Sequence, residues 1–104
     1  MQETELLQAL KRGLQAAFGA RLRGLYLYGS RARGQAPLGS DLDLLVLLRP
    51  PVELGKDVER VVRAIYDVQL QADMPIHALP VDADDFEAGV FGLHRNVKRE
   101  GIRL

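Results

Sequence analysis

Residues 41–48 read Asp-Leu-Asp-Leu-Leu-Val-Leu-Leu, and they are the most hydrophobic segment of the chain. After Asp43 every position is apolar, which predicts a strand that is buried on both faces at the centre of a sheet. Pro50 and Pro51 end the segment. Because side chains alternate along a strand, the carboxylates of Asp41 and Asp43 share one face at the point where the strand begins.

Outward from this strand, helical and strand-like patterns alternate along the chain. Helices are predicted where apolar residues recur three or four positions apart, and strands where short apolar runs end at turn residues. In chain order, the predicted elements are a helix from Thr4 that stops at Gly19, a strand over 24–28, a loop with one helical turn over 31–40, the strand over 41–48, a helix over 54–70, a strand over 74–81, and a helix that begins with a capping box at 84–87 and ends at Gly101. Because of Pro75 and Pro80, the third strand is predicted to be either short or near a sheet edge.

This order of elements predicts the fold class. The order α, β, loop, β, α, β, α is typical of an α/β (α+β) sandwich in which a sheet of about three strands is covered by helices. The chain has 104 residues, which predicts a single domain over 1–104. We expect Tyr26 and Tyr28 on the sheet face, the acids of the second helix, including Asp57, on a solvated side, and His94 on the surface.

Charge and composition exclude several classes of function. The 14 basic residues balance 14 acidic ones, so a broad basic surface for bulk nucleic acid is not expected. Residues 1–50 carry seven basic residues against four acids, a net charge of +3 that leaves −3 for the remainder, which favours small anions as ligands. Cysteine is absent, which excludes disulfides and thiolate metal sites. No apolar run approaches about 18 residues, and the first five residues are too acidic for a signal peptide, so we expect a cytoplasmic protein without membrane contact.

The pair Asp41 and Asp43 predicts a metal site. Two carboxylates on one face repel each other, and burial raises that cost unless a cation lies between them. Mg²⁺, or Mn²⁺ in its place, binds carboxylate, phosphate and water oxygens, and two such ions can clamp an in-line phosphoryl displacement. The alternative interpretation is two solvated aspartates where a loop enters a strand.

Gly29 and Ser30 form a second feature suited to anions. They follow directly on a predicted buried strand, where glycine permits close approach of the backbone to a phosphate and the serine hydroxyl and the following amides can donate to it. Arg31 and Arg33 add positive charge just beyond. The alternative is an ordinary turn at a strand end.

Together, the two features resemble a known signature. Residues 28–34, Tyr-Gly-Ser-Arg-Ala-Arg-Gly, and residues 40–44, Ser-Asp-Leu-Asp-Leu, resemble the signature of the DNA polymerase beta-type nucleotidyltransferase superfamily. The length of the chain and its closing residues 96–102, Asn-Val-Lys-Arg-Glu-Gly-Ile, are similar to the minimal nucleotidyltransferases of that superfamily. The resemblance implies a palm-like mixed sheet.

The resemblance also implies roles for individual residues and a partner. In the family, the Gly-Ser pair holds the triphosphate of a nucleotide, usually ATP, and the paired acids bind Mg²⁺ while a nucleoside monophosphate passes to a hydroxyl. Asp41 and Asp43 are then the metal ligands, and the nucleotide-binding group consists of Gly29, Ser30, Arg31, Arg33 and Ser40. Many minimal members are encoded beside a small helical HEPN-domain protein, and they act as its antitoxin, in some cases by adenylylating a tyrosine. A nucleoside triphosphate, a HEPN-domain partner and a homo- or hetero-oligomer are therefore implied.

His77 is the one departure from the family pattern. The family usually has a third carboxylate on the next strand, after a Pro-hydrophobic pair, and His77 occupies that position here. A histidine can act as a general base or a metal ligand near neutral pH, but it brings no negative charge to a second metal ion. Alternatively, His77 only ends the strand with a satisfied hydrogen bond. Asp73 and Asp82 are the nearest acids that could compensate, although Asp82 and Asp84 are also suited to capping a helix.

Three functions therefore remain open at the level of sequence. In the first, the chain is a Mg²⁺-dependent nucleotidyltransferase with Asp41, Asp43 and His77 as catalytic residues and a partner that supplies the acceptor. In the second, it is a catalytically impaired antitoxin or regulatory subunit that acts by contact. In the third, it is one subunit of a split small-molecule nucleotidyltransferase whose acceptor site lies on another polypeptide.

Overall fold

The computed structural model describes residues 1–37 and 39–104, and position 38 of the predicted loop lies outside them. Helices and strands alternate as the sequence predicts. In chain order they are α1 (Glu3–Phe18), a short 3₁₀ turn (Gly19–Arg21), β1 (Leu22–Tyr28), β2 (Leu42–Leu48), α2 (Leu54–Gln71), β3 (Ile76–Asp82), α3 (Ala83–Ala88), α4 (Gly92–Glu100) and β4 (Ile102–Arg103). Among the described residues, no helix is both long and apolar enough to cross a membrane.

The strands of the described residues form one mixed sheet in the order β3-β2-β1-β4. β2 is central, as predicted, and pairs antiparallel with β1 and parallel with β3. β3 lies at an edge, which is one of the two alternatives predicted from Pro75 and Pro80; Pro80 lies within the strand and Pro75 directly precedes it. The fold class is therefore confirmed. The described residues contain one more strand than predicted, because β4 has only two residues and no apolar run from which a strand could be predicted.

Alternation along β2 divides the interior into two layers. The even-numbered side chains of β2 pack with the buried residues of α1 and α2, and they are Leu42, Leu44, Val46 and Leu48. The odd-numbered side chains Leu45 and Leu47 pack with Phe86 of α3 and Val97 of α4. Asp43 belongs to the odd-numbered face, so its carboxylate lies on the side of the sheet that α3 and α4 cover.

The predicted last helix is in fact two helices. Gly89 adopts the left-handed conformation, with φ of 66°, and its N–H bonds back to the carbonyl oxygens of Asp85 and Phe86, which ends α3. The predicted capping box at 84–87 is also wrong, because Asp82 caps α3 by accepting from the N–H groups of Asp84 and Asp85. The apolar spacing continues across Gly89 and therefore conceals the break.

His94 is buried rather than on the surface. It is 5% exposed and lies between two aromatic rings, with centroid distances of 5.8 Å to Phe86 and 5.1 Å to Phe91. After the break at Gly89 the chain starts a new helix, α4, and the buried residues of this helix are His94 and Val97. Tyr26 packs against the same layer, 5.1 Å from Phe86, in agreement with its predicted place on the sheet face.

Asp57 is also buried rather than solvated. Its two carboxylate oxygens accept from Arg21 at 3.0 and 3.1 Å, and one of them accepts from the N–H of Glu53 at 3.0 Å. Arg21 follows α1, 36 residues away in the chain. The apolar periodicity of α2 predicts which face of the helix is buried. It cannot predict that Arg21, which is distant in the chain, neutralises an acid beside that face.

Candidate active site

The start of β2 places two carboxylates on the same face of the sheet. Leu42 is fully buried on the α1–α2 face, so Asp41 and Asp43 on either side of it lie on the opposite face. The side chain of Asp41 is about half exposed, whereas Asp43 is partly buried. The pair predicted from strand alternation is therefore brought together at the beginning of the central strand.

Gly29 provides the space that Asp43 occupies. β1 and β2 pair so that Tyr28 is opposite Asp43, and Gly29 follows directly. A Cβ at Gly29 would lie 2.6 Å from the Oδ2 atom of Asp43, and Gly29 has a φ of +76°. Both the backbone conformation and the close approach require glycine at this position.

Ser30 lies in a tight turn directly after Gly29. The N–H of Arg33 donates to the carbonyl of Gly29 at 3.3 Å, and the N–H of Gln35 donates to the carbonyl of Ser30 at 3.0 Å. The predicted helical turn is thus a hydrogen-bonded turn and not a helix, because the second of these bonds spans five residues. Ser30 therefore follows immediately on the residue whose backbone lies against the Asp43 carboxylate.

His77 joins the carboxylates from the neighbouring strand. It is opposite Asp43 in the parallel register of β2 and β3, so both side chains lie on the same face. Its Nε2 atom is 2.9 Å from the Oδ2 atom of Asp41. The position predicted for a third carboxylate therefore holds an exposed imidazole that is hydrogen-bonded to one of the two aspartates.

The two acids named as substitutes for a third carboxylate do not lie with the pair. Asp82 is opposite Leu48, five residues beyond His77 on β3, or about 16 Å along the strand. It is also occupied as the cap of α3. Asp73 is exposed in the connection between α2 and β3, and among the described residues it does not complete a group of three metal-binding side chains with the pair. His77 is thus the residue that the fold brings to Asp41.

Burial gives Asp43 an unfavourable environment for a charge. Desolvation raises the pKa of the Asp43 carboxyl, the nearby imidazole of His77 lowers it, and the charge of Asp41 raises it again. Burial, followed by the charge of Asp43, also raises the pKa of the Tyr28 phenol. Asp43 is therefore a partly buried carboxylate whose negative charge is incompletely compensated by the protein.

The two arginines after Ser30 differ in their contacts. Arg31 donates to the carbonyl of Ser40 at 2.8 and 3.0 Å and forms an ion pair with Glu3 at 3.2 Å. It holds the two ends of the loop together, and its side chain is only 12% exposed. Arg33 is exposed, and none of the hydrogen bonds found among the described side chains engages its guanidinium group. Arg33 is accordingly the more accessible of the two for an anionic ligand.

Ser40 has its hydroxyl oxygen buried, and no described atom forms a hydrogen bond with it. Its carbonyl oxygen is the acceptor for Arg31. Ser40 therefore contributes to the shape of the loop through its backbone.

The donor set fits a divalent cation. Asp41 and Asp43 offer carboxylate oxygens on one face, and the raised pKa of Asp43 shows that a positive charge would be favourable there. Among the described residues, no group of three His, Asp or Glu side chains is arranged to enclose a metal. A cation bound by the two aspartates would keep positions for water and phosphate oxygens, which is the coordination that Mg²⁺ favours.

A cleft of about 180 Å³ opens beside Gly29. Its walls include Tyr28, Arg33, Asn96 and Glu100, so it joins the turn after β1 to the last helix. Asn96 and Glu100 belong to the closing residues that resemble the minimal nucleotidyltransferases, but neither is predicted as a site residue from the sequence. That resemblance was the signal that could have added them to the candidate site.

The family is evident from a comparison with known sequences. A sequence model of the nucleotidyltransferase domain matches residues 5–103, and the chain belongs to this family. No curated protein matches the chain significantly.

Solved structures share the fold at low sequence identity. A protein of Sulfolobus solfataricus assigned as a nucleotidyltransferase superposes with a TM-score of 0.63 at 20% identity, over 81% of this chain and 70% of that one. A toxin-antitoxin structure with AMP-PNP gives 0.62 at 18% identity, over 90% and 68%. A mutant of the toxin-antitoxin MntA-HpeT gives 0.61 at 18% identity, over 100% and 72%.

Proposed function

We propose that the chain acts as one minimal nucleotidyltransferase domain over 1–104 and transfers AMP from Mg-ATP to a hydroxyl of a partner protein. In this proposal the partner is a HEPN-type toxin and the chain is its cytoplasmic antitoxin. The observation that carries the proposal is the meeting of Asp41, Asp43 and His77 with Gly29 at the start of β2. The similarity to two toxin-antitoxin structures supports the biological setting.

Each residue has a role that follows from its position. Asp41 and Asp43 bind the cation, which neutralises phosphate charge and polarises the α-phosphorus when it is present. The backbone at Gly29 and Ser30 binds the triphosphate, and Arg33 stabilises charge from the open side of the turn. The cleft beside Gly29 receives the nucleoside.

His77 is suited to accept the proton of the attacking hydroxyl. If its Nε2–H donates to Asp41, the lone pair is on Nδ1, where it can accept a proton. The acceptor oxygen then forms a bond with the α-phosphorus, and the bond from that phosphorus to the bridging oxygen breaks. Pyrophosphate leaves with the electron pair of that bond, and the hydroxyl proton passes to His77 and from there to water. Asp41 holds the imidazole in place during this step.

Label transfer tests this proposal directly. The purified chain is mixed with Mg²⁺, the protein encoded by the adjacent reading frame, and ATP labelled at either the α- or the γ-phosphate. We expect the α-label, but not the γ-label, on the partner, and no label with Asp41→Asn. Absence of α-label, or equal labelling with Asp41→Asn, contradicts the proposal. Transfer of the γ-label would identify phosphoryl transfer instead.

A second candidate function rests on His77 itself. Because a neutral imidazole stands where the family usually has a third carboxylate, the chain could neutralise its partner by contact alone. A double variant, Asp41→Ala with Asp43→Ala, that still neutralises the partner would favour contact. His77→Asp is expected to raise transfer if the chain is an enzyme, and to leave neutralisation unchanged if it acts by contact.

A further inference from the structure

Asp41 lies just outside the strand that contains Asp43. β2 begins at Leu42, and Asp43 is paired on both sides, opposite Tyr28 of β1 and His77 of β3. Asp41 precedes the first paired residue of β2, so the pairing of the sheet does not fix its backbone. The direction of its side chain therefore depends on the contacts that hold its two neighbours in the chain.

Hydrogen bonds hold the backbone on both sides of Asp41. On one side, the N–H of Leu42 donates to the carbonyl of Pro75 at 3.0 Å, which is a backbone contact between neighbouring strands. On the other side, the carbonyl of Ser40 accepts from the Nε and Nη2 atoms of Arg31 at 3.0 and 2.8 Å. This second contact comes from a side chain nine residues earlier in the chain. Arg31 thus holds the end of Asp41 that the sheet does not hold.

The guanidinium group of Arg31 has all three of its nitrogen atoms engaged. Nε and Nη2 donate to the carbonyl of Ser40, and Nη1 donates to the carboxylate of Glu3 at 3.2 Å. The Arg31 side chain is 12% exposed, so these charge-assisted bonds are largely shielded from water. Because a guanidinium group is planar and rigid, the three contacts together fix the position of Ser40 relative to the first turn of α1.

Arg33 lies in the same turn and has the opposite character. It is exposed and lines the cleft beside Gly29, and none of the hydrogen bonds found among the described side chains engages its guanidinium group. A phosphate bound by Arg33 would break no hydrogen bond of this set, whereas a phosphate bound by Arg31 would compete with Ser40 and Glu3. The two arginines are therefore suited to different tasks.

We propose that Arg31 is a positioning residue for the cation site, which holds Asp41 through the carbonyl of Ser40 and does not itself bind the nucleotide. The inference rests on the proposed function, because it concerns the cation that Asp41 and Asp43 bind in that proposal. Groups that orient a metal ligand without contacting the metal typically change metal affinity about 10- to 100-fold when they are removed. A displaced Asp41 would also lose its contact with His77, which is 2.9 Å away.

The positive charge of Arg31 makes the expected result distinctive. Removal of a cationic side chain from the surroundings of a metal site should, through charge alone, strengthen the binding of a divalent cation. Loss of the contact that holds Asp41 should instead weaken that binding. The direction of the change therefore separates a positioning role from a purely electrostatic one.

Binding of Mn²⁺ to the full chain in the absence of nucleotide measures the positioning role. By calorimetry, we expect Arg31→Gln to weaken Mn²⁺ binding about tenfold or more. Arg31→Lys keeps the charge but loses the planar fork, so it should recover only part of this loss. The binding stoichiometry reports the folded fraction of each variant. If Arg31→Gln does not fold, Arg31→Lys provides the same comparison at constant charge.

Glu3→Gln is the matched control for the second contact of Arg31. It removes the ion pair with Arg31 and leaves the two hydrogen bonds to Ser40 in place. Because Glu3 is about half exposed, we expect this variant to change Mn²⁺ affinity less than about twofold.

Transfer kinetics separate the two arginines. We expect Arg31→Gln to lower kcat and to raise the Mg²⁺ concentration that gives half the maximal rate, with little change in KM for ATP at saturating Mg²⁺. Arg33→Gln should instead raise KM for ATP and should not weaken Mn²⁺ binding to the free chain. A merely structural role of Arg31 would lower the melting temperature but leave the Mn²⁺ affinity of the folded molecules unchanged.

Three results overturn the inference. The first is an unchanged chain that binds no Mn²⁺, and the second is equal or tighter Mn²⁺ binding by folded Arg31→Gln. The third is a full loss of affinity in Glu3→Gln, because the contact with α1 would then matter in place of the contact with Ser40. If Mn²⁺ binding depends on Arg31 as expected but no α-label is transferred, the positioning role is supported and the proposed function fails.

Discussion

Asp57 is a buried carboxylate and Asp43 is a partly buried one, and their environments have opposite effects on the pKa. Asp57 accepts two hydrogen bonds from Arg21 and one from the N–H of Glu53, and the Arg21 hydrogen bond is the main reason that its pKa is lowered. At Asp43, desolvation is the main cause of a raised pKa. The negative charge of Asp57 is neutralised by an arginine of the same chain. The negative charge of Asp43 is partly buried, and no arginine or lysine is among the groups that shift its pKa.

The difference separates a structural acid from a candidate functional one. A paired carboxylate contributes to stability, whereas an incompletely compensated one costs stability and is retained where a ligand compensates it. Asp43 lies at the start of a strand that is otherwise apolar, and a side chain at Gly29 would collide with its carboxylate. The comparison therefore predicts opposite effects on stability when each charge is removed.

Removal of the charge at Asp43 has the largest expected effect on function. We expect Asp43→Asn to lower label transfer about 10³-fold, equivalent to about 4 kcal/mol of transition-state stabilisation, because a cation ligand is lost. In EDTA at pH 7 the same variant should melt at a higher temperature than the unchanged chain, since a partly buried charge is gone. A lower melting temperature in EDTA would contradict the comparison.

Removal of the charge at Asp57 should destabilise the protein without affecting chemistry. We expect Asp57→Asn to lower the free energy of unfolding by about 2 kcal/mol, below the range for a fully buried pair because Arg21 is 27% exposed. Urea denaturation measures this loss. Transfer per folded molecule should be unchanged. The control is Glu59→Gln, which removes an exposed ion pair with Arg63 and should cost less than about 1 kcal/mol.

The parts of this picture that sequence could predict are local. Asp41 and Asp43 share a face because side chains alternate along a strand, and β2 is central because its residues are apolar on both faces. Likewise, α1 ends at Gly19 as predicted, since glycine interrupts the apolar periodicity there.

The parts that sequence could not predict depend on distant contacts or on one backbone angle. Arg21 and Asp57 are 36 residues apart, and no local pattern pairs them. The burial of His94 depends on the left-handed turn at Gly89, which the continuing apolar spacing hides. The hydrogen bond between His77 and Asp41 requires the parallel register of β2 and β3, which a motif on either strand does not specify.

Gly29 tests whether the position of Asp43 matters as well as its charge. Gly29→Ala should cost about 1 kcal/mol through its positive φ, and its Cβ would also displace the Asp43 carboxylate. Gly19→Ala is the matched control, because Gly19 has a φ of +54° and no described atom lies within 4 Å of its added Cβ. Because Gly19 combines this φ with a ψ of −128°, which favours glycine still more strongly, we expect Gly19→Ala to lower the melting temperature at least as much, but reduced transfer only for Gly29→Ala. Equal activities would show that Asp43 tolerates displacement.

The smallest expected effect is the opposite pH dependence of the two acids. The folded pKa of Asp57 is lowered, so its ionised carboxylate stabilises the folded protein. This stabilisation is fully present above the ordinary pKa near 4 and is lost as the pH falls through the folded pKa. Because the folded pKa of Asp43 is raised, its penalty is complete above that raised pKa and disappears as the pH falls below about 4. The urea midpoints of unfolding, determined in EDTA between pH 7 and pH 3, measure the stabilisation by Asp57 and the destabilisation by Asp43. Relative to the unchanged chain, Asp57→Asn should be less stable at pH 7 and Asp43→Asn more stable, and both differences should shrink toward acid. Two differences of the same sign at pH 7 would mean that Asp43 has a compensating partner in the folded protein.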